Sequence, residues 1–225
     1  LKNLNKSEIQ KLKNKVLNAK SMTVAVVGDF DKKLWMSFLN ELTEKMHSSE
    51  KIISGSPLFT LSENKKVFLE KDKEQSHVIV GWRGLGLTDP DRFALQILQA
   101  VLAGQGGRLF YELRDKNSLA YSVSPLKMES IETGYFGGYI ACSPEKVNKA
   151  IEMFHIEFKK LCDENISIEE LVRAQKYLIG QHDIGLQRKS ALCNLFVFDE
   201  VYGNDFNQSL FVEKEYMKVS TEHIK

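Results

Sequence analysis

Cysteine, histidine and proline are all scarce in this chain, and the first two scarcities each remove a class of function. The three cysteines, Cys142, Cys162 and Cys193, are spaced 20 and 31 residues apart and no C-x-x-C occurs. That pattern excludes a zinc knuckle and a thioredoxin-like redox pair, and leaves buried free thiols. The five histidines, His47, His77, His155, His182 and His223, never come closer than 27 residues in sequence. A metallopeptidase motif needs two histidines about one helical turn apart with a glutamate beside them as general base. The nearest fragment, His47-Ser-Ser-Glu-Lys51, ends on lysine where the second ligand should stand, and His155-Ile-Glu157 has no second histidine. No catalytic residue and no metal ligand set is therefore expected in this chain alone.

Charge of one sign is also missing. Among 225 residues the net charge is +1, which gives no electrostatic case for nucleic acid or a membrane surface as partner. The lysines of the opening segment (Lys2, Lys6, Lys11, Lys13, Lys15, Lys20) alternate with Leu4, Ile9, Leu12, Val16 and Leu17 at helical spacing. They read as the solvated face of an amphipathic helix. No apolar run approaches the roughly 18 residues that span a bilayer, and no signal-peptide pattern is read in these residues. Leu1 is not a start methionine, and the chain stops just after Ser220-Thr-Glu, a helix N-terminus. The sequence is expected to be a piece of a longer polypeptide, so it assigns no compartment.

What is present is the composition of an ordinary globular protein, with 43% hydrophobic and 27% charged residues and only 4 prolines. Strands are predicted over residues 23–27, 66–70, 76–82, 119–124 and 134–142, where β-branched and aromatic residues cluster or alternate. Helices are predicted over 31–47, from Asp89-Pro90 to Gly104, over 108–116, from Ser143-Pro144 onward, from Ser167 to about 185, and over 189–202. Ser167-x-x-Glu170 is a capping box. Strands alternate unevenly with helices and several look hairpin-connected. That predicts an α+β fold: a two-layer domain with a mixed, largely antiparallel sheet covered by helices on one face. Residues 1–20 are read as a helical linker and 21–225 as one domain.

The richest stretch runs from Gly104 to Val123. It joins a glycine cluster, a short amphipathic helix and a strand, and sets Arg114 seven residues before Tyr121. A permanent planar cation and a neutral hydroxyl donor beside one helix-to-strand turn suit the gripping of a carbonyl or carboxylate oxygen. Gly104, Gly106 and Gly107 do not make a phosphate loop. They follow a helix rather than a strand, and Leu109 fills the last glycine position of G-x-G-x-x-G. Val26-Val27-Gly28 lacks the glycine series of a dinucleotide-binding turn. Trp82, Phe136 and Tyr139 suit a substrate wall, but core packing is the better reading for each.

The order of these motifs carries a resemblance. Val-Gly-Asp closes a first strand, and Leu-Thr-Asp-Pro-Asp-Arg precedes a helix. Gly104-x-Gly-Gly-Arg-Leu-Phe-x-Glu-Leu-Arg-(x)4-Leu-Ala-Tyr-Ser-Val follows, then a glycine-rich strand, Ser-Pro-Glu and Ser-Ile-Glu-Glu-Leu. From about residue 21 to 225 the chain resembles the C-terminal, non-zinc half of the pitrilysin/insulinase family of zinc peptidases, which includes the mitochondrial processing peptidases. The resemblance implies two related α+β halves forming a clamshell around a peptide, with zinc held by His-x-x-Glu-His and a distal glutamate in the N-terminal half. It implies that Arg114 and Tyr121 bind substrate near the scissile carbonyl, that the substrate is a peptide or unfolded protein, and that this chain alone is inactive. The implied partner is a homologous zinc-binding half or subunit, on the same polypeptide or as a dimer. A catalytically silent scaffold or partner subunit is the alternative within the family, and a free-standing peptide-binding module a third. Asp115 stands where glutamate is common, and Asn117-Ser118 replace the usual basic-glycine turn.

Overall fold

The structure, a computed structural model, describes residues 5–46 and 63–225. His47 and the loop predicted over residues 48–57 lie outside the described residues. The chain groups into two compact units, Leu1–Pro57 with Leu186–Ser209, and Leu58–Gly185 with Leu210–Lys225.

In the second unit, β1 (Ser76–Gly84), β2 (Ser122–Glu129) and β3 (Gly134–Cys142) form an antiparallel sheet in the order β1-β3-β2 among the described residues. The registers Ile79↔Tyr139 and Ser124↔Tyr139 place Val78, Val80, Trp82, Phe136, Gly138 and Ile140 on one face. Onto that face packs α4 (Val147–Asp163), whose Phe154 and Phe158 follow helical spacing. Phe158 lies 4.5 Å from the Trp82 ring and 5.8 Å from Phe136. Gly138 permits this approach, because a side chain there would occupy the space of the Phe154 ring. Phe136 is thus a core residue, as its preferred reading had it, whereas Trp82 is 41% exposed and only flanks the core through Phe158. The opposite face carries Ile79, Tyr135 and Met128, all well exposed.

α3 (Arg92–Leu102) buries Ala94, Ile97, Val101 and Leu102. It begins later than Asp89-Pro90 suggested: Asp89 accepts the Asp91 amide at 2.9 Å, shaping a turn ahead of the helix. α5 (Ile168–Leu186) starts with the predicted capping box. The Glu170 amide donates to Ser167 Oγ at 3.1 Å, and the Ser167 amide to Glu170 Oε2 at 3.0 Å. Near the C-terminus lie α7 (Val212–Lys218) and α8 (Thr221–Ile224), with α6 (Lys189–Val201) in the first unit. Tyr216 of α7 is buried. Its hydroxyl donates to Gln96 at 2.5 Å, and Gln96 donates on to Glu129 at 2.9 Å.

The first unit is built on α1 (Lys6–Val16) and α2 (Lys32–Glu44), together with α6. α1 opens with a capping box between Asn5 and Glu8, and α2 with Asp31 accepting two amides. Neither helix has a buried residue. The α+β class is as the sequence indicated. Two predicted strands are not found: residues 23–27 and 66–70 pair with nothing among the described residues. Val67, Phe68 and Leu69 are 78–85% exposed. An apolar, β-branched run records a preference for extended backbone, but a strand also needs a partner to take its amides.

Candidate functional site

α3 stops at Leu102, and Gly104 turns the chain with φ +74°. Gly107 then closes on the helix end: its amide donates to the Gly104 carbonyl at 3.1 Å, and a side chain there would meet the backbone of Leu102 and Ala103. The next segment is wider than an ordinary helix. Phe110–Lys116 is a π-helical turn, a geometry used sparingly and often at functional sites. Leu109 and Leu113 drive it into the core, both fully buried.

Both ends of the turn are fastened. At its start, Arg108 makes a bidentate pair with Glu170, Nε to Oε1 and Nη2 to Oε2, each 2.6 Å. The pairing raises the Arg108 pKa, and it lowers that of Glu170, which also accepts the Ser167 amide. At its end, Asn117 donates its side-chain amide to the Glu112 carbonyl at 2.7 Å. The Ser118 and Leu119 amides donate to Arg114 and Leu113 at 2.9 and 2.8 Å. Lys146 reaches the Ser118 carbonyl at 2.9 Å. Ser118 stands at φ +48°, in the left-handed region that glycine occupies most readily.

This frame brings Arg114 and Tyr121 together. The guanidinium carbon of Arg114 lies 5.2 Å from the centre of the Tyr121 ring and 4.6 Å from that of Phe110. Tyr121 is 79% exposed and precedes β2 instead of lying on it. The predicted strand over 119–124 therefore starts later, at Ser122. Leu119 is buried, so Tyr121 does not share its face. A surface ion pair for Arg114 is not what forms: Glu112 takes Lys116 at 3.1 Å instead. Neither Arg114 nor Tyr121 makes a side-chain hydrogen bond or ion pair among the described residues. Chemically this is a cation and a hydroxyl donor, side by side and free to meet an oxygen-bearing ligand.

The described residues do not fit a zinc site. Among the described residues no three His, Cys, Asp or Glu side chains converge as metal ligands. His77 Nδ1 lies 2.8 Å from the Tyr139 hydroxyl, His155 packs edge-on to Trp82, and His223 serves the Ser220 cap. Among the described residues no helix is long and apolar enough to cross a membrane. Sequence reasoning missed the Arg108–Glu170 clamp and the contact of Arg114 with the Phe110 ring. The Phe110–Arg114 spacing of four was the available signal for the second.

Comparison with known proteins decides the family. The model of the peptidase M16 inactive domain matches residues 3–178. The chain belongs to this family. An uncharacterized zinc protease of Streptomyces coelicolor is 36% identical over 122 residues, 54% of this chain and 27% of that protein. One from Mycobacterium bovis is 31% identical over 140 residues, 62% of this chain and 30% of the relative. The chain thus spans less than a third of the length of either. Among solved structures, a peptidase M16 inactive domain from Pseudomonas fluorescens superposes with a TM-score of 0.86 at 16% identity, covering 99% of this chain and 53% of that one. A protease from Helicobacter pylori gives 0.84 at 19% identity, covering 99% and 55%. At such identities the structures establish the shared α+β fold. As an M16 inactive domain, the chain is not the catalytic half of a zinc protease.

Proposed function

We infer that this chain is the substrate-gripping, zinc-free domain of a zinc metalloendopeptidase acting on peptides or unfolded proteins. The observation that carries the reading is the pairing of Arg114 with Tyr121, both without polar partners of their own among the described residues. Set against a scissile carbonyl, the guanidinium and the phenol would orient it and stabilise the oxyanion charge that develops on it. Zinc and the general base would belong to a homologous half or subunit, on the same polypeptide or in a dimer. In this reading residues 1–20 form the linker to that half, and 21–225 the gripping domain.

The test compares the 225-residue chain with the complete protein that contains it. Zinc content by elemental analysis and hydrolysis of an unstructured fluorogenic peptide are measured for each. The reading expects zinc and hydrolysis in the complete protein or its assembled pair, and neither in this chain. Stoichiometric zinc in this chain would contradict it. A zinc-free, inactive assembly would favour the silent-scaffold alternative.

A further inference from the structure

Phe110 lies outside the pair assigned to substrate, yet it is the closer of the two rings that hold Arg114. Its centre is 4.6 Å from the guanidinium carbon, against 5.2 Å for Tyr121. We propose that Phe110 is a positioning residue: its ring is the shelf on which the Arg114 guanidinium lies, pointed toward Tyr121 and substrate. The proposal rests on the reading of Arg114 and Tyr121 as substrate-binding groups.

The argument begins with what usually fixes an arginine. A carboxylate partner would hold the guanidinium by a bidentate fork, as Glu170 holds Arg108. It would also neutralise the charge and occupy the donors that a substrate oxygen needs. Arg114 has no such partner among the described residues. Left to rotamer freedom, a side chain this long would give up much of its entropy on meeting substrate. An aromatic face solves both difficulties. It attracts the cation through its quadrupole and leaves every N–H in the guanidinium plane available.

Geometry makes Phe110 the shelf and Tyr121 the lid. Phe110 is half-buried, and its neighbours in the turn, Leu109 and Leu113, are fully buried, so the turn that carries its ring is anchored in the core. Tyr121 is exposed and lies outside the turn. The π-helical winding matters here, because an α-helical turn would rotate residue 114 relative to residue 110 by a different amount.

The experiment has two arms. In the 225-residue chain, the Arg114 side-chain resonances, assigned by their loss in Arg114→Lys, should show an upfield ring-current shift. Phe110→Leu should reduce that shift to the part that Tyr121 supplies, Phe110→Trp should keep it whole, and thermal stability confirms that both variants fold. In the complete peptidase, Phe110→Leu should lower kcat/KM by about threefold to thirtyfold, the range set by cation–π strengths. Phe110→Trp should restore it, and Phe110→Leu should add nothing once Arg114 is alanine. Unshifted Arg114 resonances in wild type, or resonances and turnover unaltered by Phe110→Leu, would overturn the proposal. Full turnover in Arg114→Ala would instead overturn the substrate-binding reading, while the resonance arm still judges the shelf.

Discussion

In the second unit Phe154, Ile97, Leu109 and Leu113 lose all contact with solvent, whereas the described side chains buried in the first unit are Asn18 and Asp199, both polar. The second unit is held by apolar surface removed from water. Among the described residues of the first, both buried side chains are held by hydrogen bonds: Asn18 caps a short turn, and Asp199 accepts the amide and hydroxyl of Ser209 at 2.8 and 2.6 Å. Hydrophobic burial accumulates with area, while each hydrogen bond contributes only about 1 kcal/mol net. Among the described residues the apolar core therefore belongs to the second unit, and so does the candidate site. Arg114 projects from a turn whose underside is that core, and Tyr121 from the segment that follows it, which is how a short irregular segment is held to a fixed geometry.

The contrast breaks most decisively at the core. Phe154→Ala should cost about 3–5 kcal/mol of unfolding free energy in urea titrations. Phe38→Ala on α2, where the ring is 52% exposed, should cost well under half of that. Equal losses would mean that α2 is covered in solution as thoroughly as α4. In the first unit, Asp199→Ala should cost about 1–3 kcal/mol by orphaning the two Ser209 donors, with Asp199→Asn milder. A neutral Asp199→Ala would remove the distinction between a hydrogen-bonded unit and an unpinned one.

Titration sharpens the same contrast within the second unit. Burial raises the Tyr216 phenol from 10 to about 12. A raised folded-state pKa contributes stability that is complete below pH 10 and lost as pH rises through about 12. Glu170 runs the other way. Arg108 depresses its pKa below the usual 4.5, so its contribution is present above that value and disappears as pH falls through the folded-state pKa. Urea midpoints measured across pH should fall at both extremes. Tyr216→Phe should flatten the alkaline limb and Glu170→Gln the acid limb, and an unaltered limb would refute the corresponding assignment. The smallest expected effect is a gain. Ser118→Gly should stabilise by about 0.5–1 kcal/mol by relieving the left-handed backbone, and a loss would show the serine to be better suited there.

The sequence disclosed some of this architecture well and some not at all. β3 was legible residue for residue, and so was the start of α5. Each depends on a local signal, a run of strand-forming residues in one and a capping box in the other. Residues 23–27 and 66–70 carry the same strand signal, but pairing is a long-range property that a local run does not encode. At the site, the residue types and their separation by seven could be read directly. Their proximity could not, because a π-helical turn has no sequence signature distinct from an α-helix, and Tyr121 leaves the alternation of β2 by lying ahead of it. The Arg108–Glu170 pair had no local signal either, because its two members stand 62 residues apart.

The most direct test of the account is kcat/KM for an unstructured peptide, measured on the complete protein that contains this chain, with Arg114→Ala and with Tyr121→Phe at matched zinc content. Loss of either donor should lower the rate by about 10²–10³, with zinc occupancy and thermal stability unchanged. Turnover at the wild-type level in both variants would contradict the claim that this zinc-free domain grips the scissile carbonyl.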